Sequence, residues 1–184
     1  MSRRIFYTHD NGLHEMRLKL SQVKNHASII QLMAGMPYGI NGFHCYIIYM
    51  TDDTIIDAFL KTAKTIAVIG ASADPSRSSN GVMGALQRSG YRCIPVNPNE
   101  SEILGETCYP DLASIPADID IDIVDVFRRA EFTPAIAQEA VDRRAKCLWL
   151  QLGVVNDDAM KIAGDAGLLT VQDECLAVVV RTLR

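Results

Sequence analysis

The chain has 184 residues, of which 48% are hydrophobic and 22% are charged, as expected for one soluble globular domain with an appendage. The net charge of −4 argues against nonspecific nucleic-acid binding, which requires basic side chains to neutralise phosphates. Five cysteines without a C-x-x-C pair predict neither a disulfide framework nor a zinc site, and reduced thiols in a cytoplasmic protein are the simplest interpretation. No apolar run approaches the length of a membrane span.

Residues 1–49 differ from the rest of the chain. They carry five Lys or Arg side chains and two acids, so their charge is +3 while the remainder carries −7. All four histidines also lie in this segment. Because its periodicity is poor, we predict an N-terminal extension of no defined fold at residues 1–49 and a folded domain at residues 50–184. A genuine accessory segment at residues 1–49 is the alternative.

From Thr51 onward, the predicted helices and strands alternate. The predicted strands are Thr65–Ile69, Arg92–Val96, Ile121–Phe127, Cys147–Leu150 and Leu168–Val171. The predicted helices run over about 52–61, 79–88, 133–144, 157–166 and 176–183. A helical turn is expected in the loop after the second strand, which runs through Ile103-Leu104-Gly105 and Asp111-Leu112-Ala113-Ser114-Ile115-Pro116. This order predicts an α/β protein with right-handed β-α-β units, in which a doubly wound, parallel five-stranded sheet lies between two helix layers.

The stretch from Lys64 to Asn80 predicts a buried strand, a turn of small residues and the start of a helix, which is where α/β folds bind phosphates. Only Gly70 fits the dinucleotide fingerprint G-x-G-x-x-G, which needs three glycines. The second strand ends in Asn97, although NAD-binding folds place an acid there to hold the ribose 2′-hydroxyl. The pattern therefore predicts a nucleotide-like ligand other than NAD.

Ligands of open α/β sheets bind beyond the carboxyl ends of the strands, so the residues after four predicted strands are the candidates. The candidate binding residues are Gly70, Ala71, Ser72, Pro75, Arg77, Ser79, Asn97, Pro98, Phe127, Arg128, Gln151 and Gly153. Arg77 would add a bidentate phosphate contact beside a helix N-terminus, unless it is only a solvated loop charge. Ser72 and Ser79 could also be turn and cap residues, and Asn97-Pro98 could simply form a turn.

Four sequence blocks carry a family resemblance. They are G-A-S-x-x-P-x-R-x-S from Gly70, G-Y-x-x-x-P-V-N-P from Gly90, V-D-V-F-R from Val124 and W-x-Q-x-G from Trp149. In this order they resemble the small CoA-binding-domain proteins, which are single Rossmann-like domains similar to the N-terminal domain of the succinyl-CoA ligase α subunit. The resemblance covers about residues 51–180. It implies a Rossmann-like fold and coenzyme A (CoA) or an acyl-CoA as the ligand of the candidate residues.

One feature of the sequence argues against catalysis, and another weakens the assignment of CoA as the ligand. Succinyl-type ligases use a histidine in a separate domain, and this chain has no histidine after His44. The family usually shows D-R-C after the fifth strand, whereas this chain has Asp173-Glu174-Cys175, with an acid in place of the base. Cys175 could form a mixed disulfide with CoA, although a small buried side chain is the default interpretation.

We therefore predict a stand-alone CoA-binding domain without catalytic activity or a metal site. An NAD(P)-binding oxidoreductase or redox sensor is one alternative, which the incomplete glycine fingerprint and the missing acid disfavour. An interaction module with a vestigial nucleotide pocket is another, and Glu174 supports it.

Overall fold

A computed structural model describes residues 2–9, 12–19 and 52–183 of the chain. The chain divides into two units, Met1–Ala58 and Phe59–Arg184. In the first unit, β1 (Ser2–His9) and β2 (Gly12–Lys19) pair as antiparallel strands. The poor periodicity of this segment does not indicate these two strands. Most of residues 1–49 lie outside the described residues, so the proposed division of the chain at residue 50 stays a prediction.

The second unit is built on a parallel five-stranded sheet. The other strands that the structure describes are β3 (Thr65–Ile69), β4 (Arg92–Val96), β5 (Glu102–Ile103), β6 (Glu106–Thr107), β7 (Ile123–Val126), β8 (Cys147–Leu150) and β9 (Leu169–Val171). The parallel sheet has the order β4-β3-β7-β8-β9, and its register places Val68 beside Asp125 and Asp125 beside Trp149. This arrangement confirms the predicted α/β, Rossmann-like sheet.

Helices cover both faces of this sheet. The structure describes α1 (Asp52–Leu60), most of which lies in the first unit, and in the second unit α2 (Ser78–Arg88), α3 (Thr133–Asp142, after a 3-10 turn at Ala130–Phe132), α4 (Asp157–Asp165) and α5 (Leu176–Thr182). Ala67, Val124 and Leu148 share one buried cluster with Ile136 and other residues of α3 and α4. The alternating strand residues point to the other face, where Cys93 lies 3.9 Å from the Met83 carbonyl of α2. Among the described residues, no helix combines the length and apolarity that crossing a membrane requires.

The helical turn predicted in the loop after β4 does not form at Ile103-Leu104-Gly105; the second predicted stretch makes a turn, in which the backbone N–H of Ile115 donates to the Leu112 carbonyl at 3.4 Å. Leu104 and Gly105 both have positive φ, at 51° and 80°, and they join β5 and β6 as a two-residue hairpin. Such turns match the right-handed twist of the flanking strands, so they are preferred in short hairpins. Leucine is unusual at positive φ, which is why the sequence pattern did not indicate this turn.

Candidate functional site

The candidate site lies at the carboxyl edge of the sheet, between β3 and β7. The chain leaves β3 towards β4 on one side and later returns to β7 on the other, so the connections diverge and leave a crevice between them. The backbone N–H of Gly70 donates to the Val96 carbonyl, and that of Phe127 donates to the Ile69 carbonyl, both at 2.9 Å. Three of the predicted strand ends therefore meet at this crevice.

Gly70 permits a close approach between the first two elements of the site. Its φ of +80° is a conformation that favours glycine, and a Cβ atom added there would lie 3.1 Å from Cδ of Arg128. The Arg128 guanidinium is 5.2 Å from the centroid of the Phe132 ring, and the Arg129 guanidinium approaches the same ring at 5.0 Å. Arg129 also pairs with Glu131 at 3.2 Å, whereas Arg128 lines the crevice.

A cleft of about 290 Å³ opens at this point. Gly70, Pro98 and Arg128 line it, together with Phe132 from the 3-10 turn and Ile136 from α3. Most of the lining is apolar, and its charged residues are Asp111, Arg128 and Glu139. Its volume is close to the lower limit of ligand pockets, which suits one flat ring or a short chain of a larger ligand.

The loop before α2 is organised by its own side chains. Ser72 Oγ accepts from the backbone N–H of Asp74 at 3.2 Å, and Asn80 Nδ2 donates to the Ser72 carbonyl at 2.8 Å. The backbone N–H of Ser76 donates to Asp74 Oδ1 at 2.9 Å, and hydrogen bonds from Ser76 hold the pKa of Asp74 below its usual value. Pro75 is exposed in this loop. Asn80, whose side-chain amide fixes the loop, is not among the residues that the sequence predicted for the site.

The N-terminus of α2 is open to an anion. Arg77 is its N-cap residue, and no side chain in the described part of the chain caps this helix end. The Arg77 side chain is 74% exposed, and its Nε lies 4.0 Å from Asp74 Oδ2. Ser79, one position inside the helix, is buried. Free N–H groups and an exposed guanidinium at one helix end can together receive a phosphate.

Asn97 fixes the end of β4 rather than pointing freely into the crevice. Its Nδ2 donates to the Ala71 carbonyl at 2.7 Å, and its Oδ1 accepts from the backbone N–H of Asn99 at 3.0 Å. Ala71 itself is buried. The structure therefore uses the Asn97 side chain to join the loops after β3 and β4, while the neighbouring Pro98 lines the cleft.

Gln151, a predicted ligand contact, is turned into the protein. It is buried, and its Nε2 donates to Asp125 Oδ1 at 2.7 Å. Asp125 lies within β7 and is fully buried, and its Oδ2 has no hydrogen-bond partner among the described residues. Burial raises the pKa of Asp125 to about 7, against a smaller opposing effect of the Gln151 hydrogen bond. The only signal of this pair in the sequence was an aspartate inside an apolar strand.

The loops after β8 and β9 hold each other. The backbone N–H of Gly153, which has a φ of 82°, donates to Asp173 Oδ1 at 2.7 Å. Trp149 Nε1 donates to the Glu174 carbonyl at 2.7 Å, and Glu174 is exposed. Cys175 is half-buried at the start of α5. Gly153 is thus exposed and held by the neighbouring loop, and it is not among the residues that line the cleft.

The described side chains are suited to binding. Burial raises the pKa of Cys93 to about 12 and also raises that of Cys147, so both thiols stay protonated. Within the described ranges, no group of three or more His, Cys, Asp or Glu side chains could hold a metal ion. This edge of the sheet could contact a ligand through its apolar surface, the N-terminus of α2 and the exposed guanidinium groups of Arg77 and Arg128.

These features define a Rossmann-like domain with a cleft at its switch point. The chain belongs to the CoA binding domain family, whose model matches residues 64–181. The matched range includes all twelve candidate residues of the sequence analysis. The predicted family is therefore confirmed, and the role of each candidate residue stays a prediction.

Relatives of the chain include both small proteins and large ligases. The chain is 41% identical over 123 residues to the uncharacterized protein YneT of Bacillus subtilis, covering 67% of this chain and 90% of that one. It is 33% identical over 85 residues to acetate–CoA ligase [ADP-forming] II of Archaeoglobus fulgidus, covering 45% of this chain but only 12% of the ligase. A solved structure of a hypothetical protein from Pyrococcus horikoshii is similar at 37% identity and a TM-score of 0.68, covering 73% of this chain and 92% of that one.

Proposed function

We propose that this chain binds CoA or an acyl-CoA at the carboxyl edge of its sheet, as a domain without catalytic activity of its own. The observation that carries the proposal is the coincidence of two results: the CoA binding domain match over residues 64–181, and a cleft at the switch point within that range. The folded domain is assigned to residues 50–184.

The charges at this edge support phosphate binding. The uncapped N-terminus of α2 offers backbone N–H groups, and Arg77 stands at that helix end with an exposed guanidinium. Arg128 adds a second cation beside Gly70. A diphosphate and a 3′-phosphate need several such donors, because each charge-assisted bond contributes only part of the binding free energy.

Three features support a non-catalytic role. The match to the ligase relative covers 12% of the ligase, so most of that enzyme lies outside the aligned region. Residues 50–184 contain no histidine, and the buried thiols Cys93 and Cys147 are poor nucleophiles at neutral pH.

The free thiols of Cys93, Cys108, Cys147 and Cys175 fit a reducing compartment, which supports a cytoplasmic location.

Titration calorimetry with CoA and NADH in the same buffer tests the ligand assignment. We expect CoA to bind more tightly, because Asn97 stands where NAD requires a carboxylate and its amide is already bonded to Ala71. For the same reason, the variant Asn97→Asp should not acquire strong NADH binding. Equal or tighter binding of NADH would favour an NAD(P)-dependent redox protein, and no binding of either compound would favour an interaction module with a vestigial pocket.

Replacing Glu174 with arginine, the residue usual in the family, should strengthen CoA binding by about two- to tenfold. The Glu174 side chain is exposed, so the change replaces a repulsive charge with an attractive one at modest, solvent-screened strength. Calorimetry at low and high salt measures the effect, which should shrink as salt rises. Asp118→Arg, at an exposed position on the opposite edge of the sheet, makes the same change in net charge and should leave affinity nearly unchanged. Equal gains in both variants would show that Glu174 lies outside the ligand's reach.

A further inference from the structure

The cleft between β4, β7 and α3 carries opposite charges at its two ends. Arg128 lies at one end, next to Gly70 and against the Phe132 ring. Asp111 and Glu139 also line the cleft. Glu139 is seven residues beyond Phe132 along α3, which separates them by about 10 Å along the helix axis.

The two carboxyl groups are held differently. Asp111 Oδ1 accepts from the hydroxyl of Ser114 at 2.6 Å and from its backbone N–H at 2.7 Å, and these bonds hold the pKa of Asp111 below its usual value. Partial burial, with the nearby charges of Asp111 and Asp142, raises the pKa of Glu139. Asp111 is therefore a fixed acceptor, and the charge it carries makes this end of the cleft unfavourable for phosphate.

Between the charged ends, the cleft is apolar. Val96, Pro98 and Pro110 lie on one side, and Phe132 and Ile136 come from the 3-10 turn and α3. Rigid proline and aromatic surfaces provide contacts for a flat ring, and the volume of about 290 Å³ accommodates a purine. The charges of this cleft match a ligand that has phosphates at one end, towards Arg128, and a ring carrying hydrogen-bond donors at the other end, towards Asp111 and Glu139.

We propose that Asp111 and Glu139 accept hydrogen bonds from the exocyclic 6-amino group of adenine and so orient CoA with its phosphates towards Arg128 and α2. This inference deepens the proposed function and rests on it. Both carboxyl groups are exposed in the chain without ligand, and a bound ring would cover them. A purine with an oxygen at position 6 presents lone pairs where adenine presents an amine, so a carboxylate that the ring covers would face another acceptor and be left unsatisfied. The two side chains are thus determinants of base specificity, and they perform no chemistry.

The test compares CoA with its hypoxanthine analogue, in which oxygen replaces the 6-amino group. Calorimetry on the full chain should show the wild-type protein binding CoA at least about tenfold more tightly than the analogue. In the variant Glu139→Gln, we expect this ratio to fall to about threefold or less, because the glutamine amide can accept from an amine and also donate to an oxygen. Asp111→Asn provides a second, independent variant with the same expected direction. Asp118→Asn, an exposed acid remote from the cleft, should keep the wild-type ratio.

The outcomes separate the two proposals. Equal binding of CoA and the analogue by the wild-type protein, or an unchanged ratio in both cleft variants, would overturn the assignment of Asp111 and Glu139 while CoA binding stands. Failure of the wild-type protein to bind either compound would overturn CoA binding itself and, with it, this inference. Thermal melts of each variant establish that it is folded under the titration conditions.

Discussion

Replacing Arg77 with alanine is expected to weaken CoA binding by about tenfold to a hundredfold. A charge-assisted hydrogen bond contributes about 1.5–3 kcal/mol, which corresponds to that range of dissociation constants. The side chain is 74% exposed and stands at the open N-terminus of α2, with Asp74 as its ion-pair partner at 4.0 Å. Because Arg77 contributes little to the core, the melting temperature without ligand should barely change.

Calorimetry over a range of salt concentrations measures this effect. Rising salt should weaken CoA binding by the wild-type protein more than by Arg77→Ala, because the lost interaction is partly screened. Arg88→Ala is the matched control: it removes an exposed arginine from the opposite end of α2 and should leave CoA affinity within about twofold of the wild type. If Arg77→Ala binds CoA as the wild type does, Arg77 is only a solvated charge, and backbone N–H groups or Arg128 hold the phosphates.

Replacing Asp125 with asparagine is expected to change how stability depends on pH. Burial raises the pKa of Asp125 to about 7 in the folded protein, whereas in the unfolded chain it ionises near pH 4. Between these values the folded state keeps a proton that the unfolded state releases, so the contribution of Asp125 to stability is lost as pH rises from about 4 to about 7. The loss is up to about 1.4 kcal/mol per pH unit, and it levels off above pH 7.

Asparagine has nearly the same shape and does not ionise, so it removes this dependence. The unfolding free energy of Asp125→Asn minus that of the wild type should therefore increase by about 2 kcal/mol between pH 5 and pH 7 and remain constant from pH 7.5 to 8.5. Denaturant unfolding at each pH provides the measurement, and the difference cancels groups common to both proteins. Asp118→Asn, at an exposed position, should give a flat difference. A flat difference for Asp125→Asn as well would show that Asp125 is already ionised in the folded protein across this range.

Apart from β5, β6 and the 3-10 turn at Ala130–Phe132, the described strands and helices of residues 52–183 follow from local sequence signals. The predicted bounds of β3, β4 and β8 agree with the structure to the residue, because each is a short apolar run between turn residues. Alternation of these strands with amphipathic helices was sufficient to predict a parallel sheet, and hence a binding site at its carboxyl edge. The motif blocks were sufficient to predict the family, which the match over residues 64–181 confirms.

The directions of the side chains at that edge were decided by the tertiary structure. Gln151 follows a strand as a ligand contact would, but the buried carboxyl of Asp125 on the neighbouring strand offers it a partner at 2.7 Å. Likewise, Asn97 bonds to the loop after β3. Asp111 and Glu139 belong to no motif and lie 28 positions apart in the chain, yet they line one cleft. Local periodicity depends on residues a few positions apart, whereas these contacts form only when distant strands and helices pack together. The sequence by itself therefore determined at which edge of the sheet the candidate site lies. The packing of the tertiary structure decided which side chains line it.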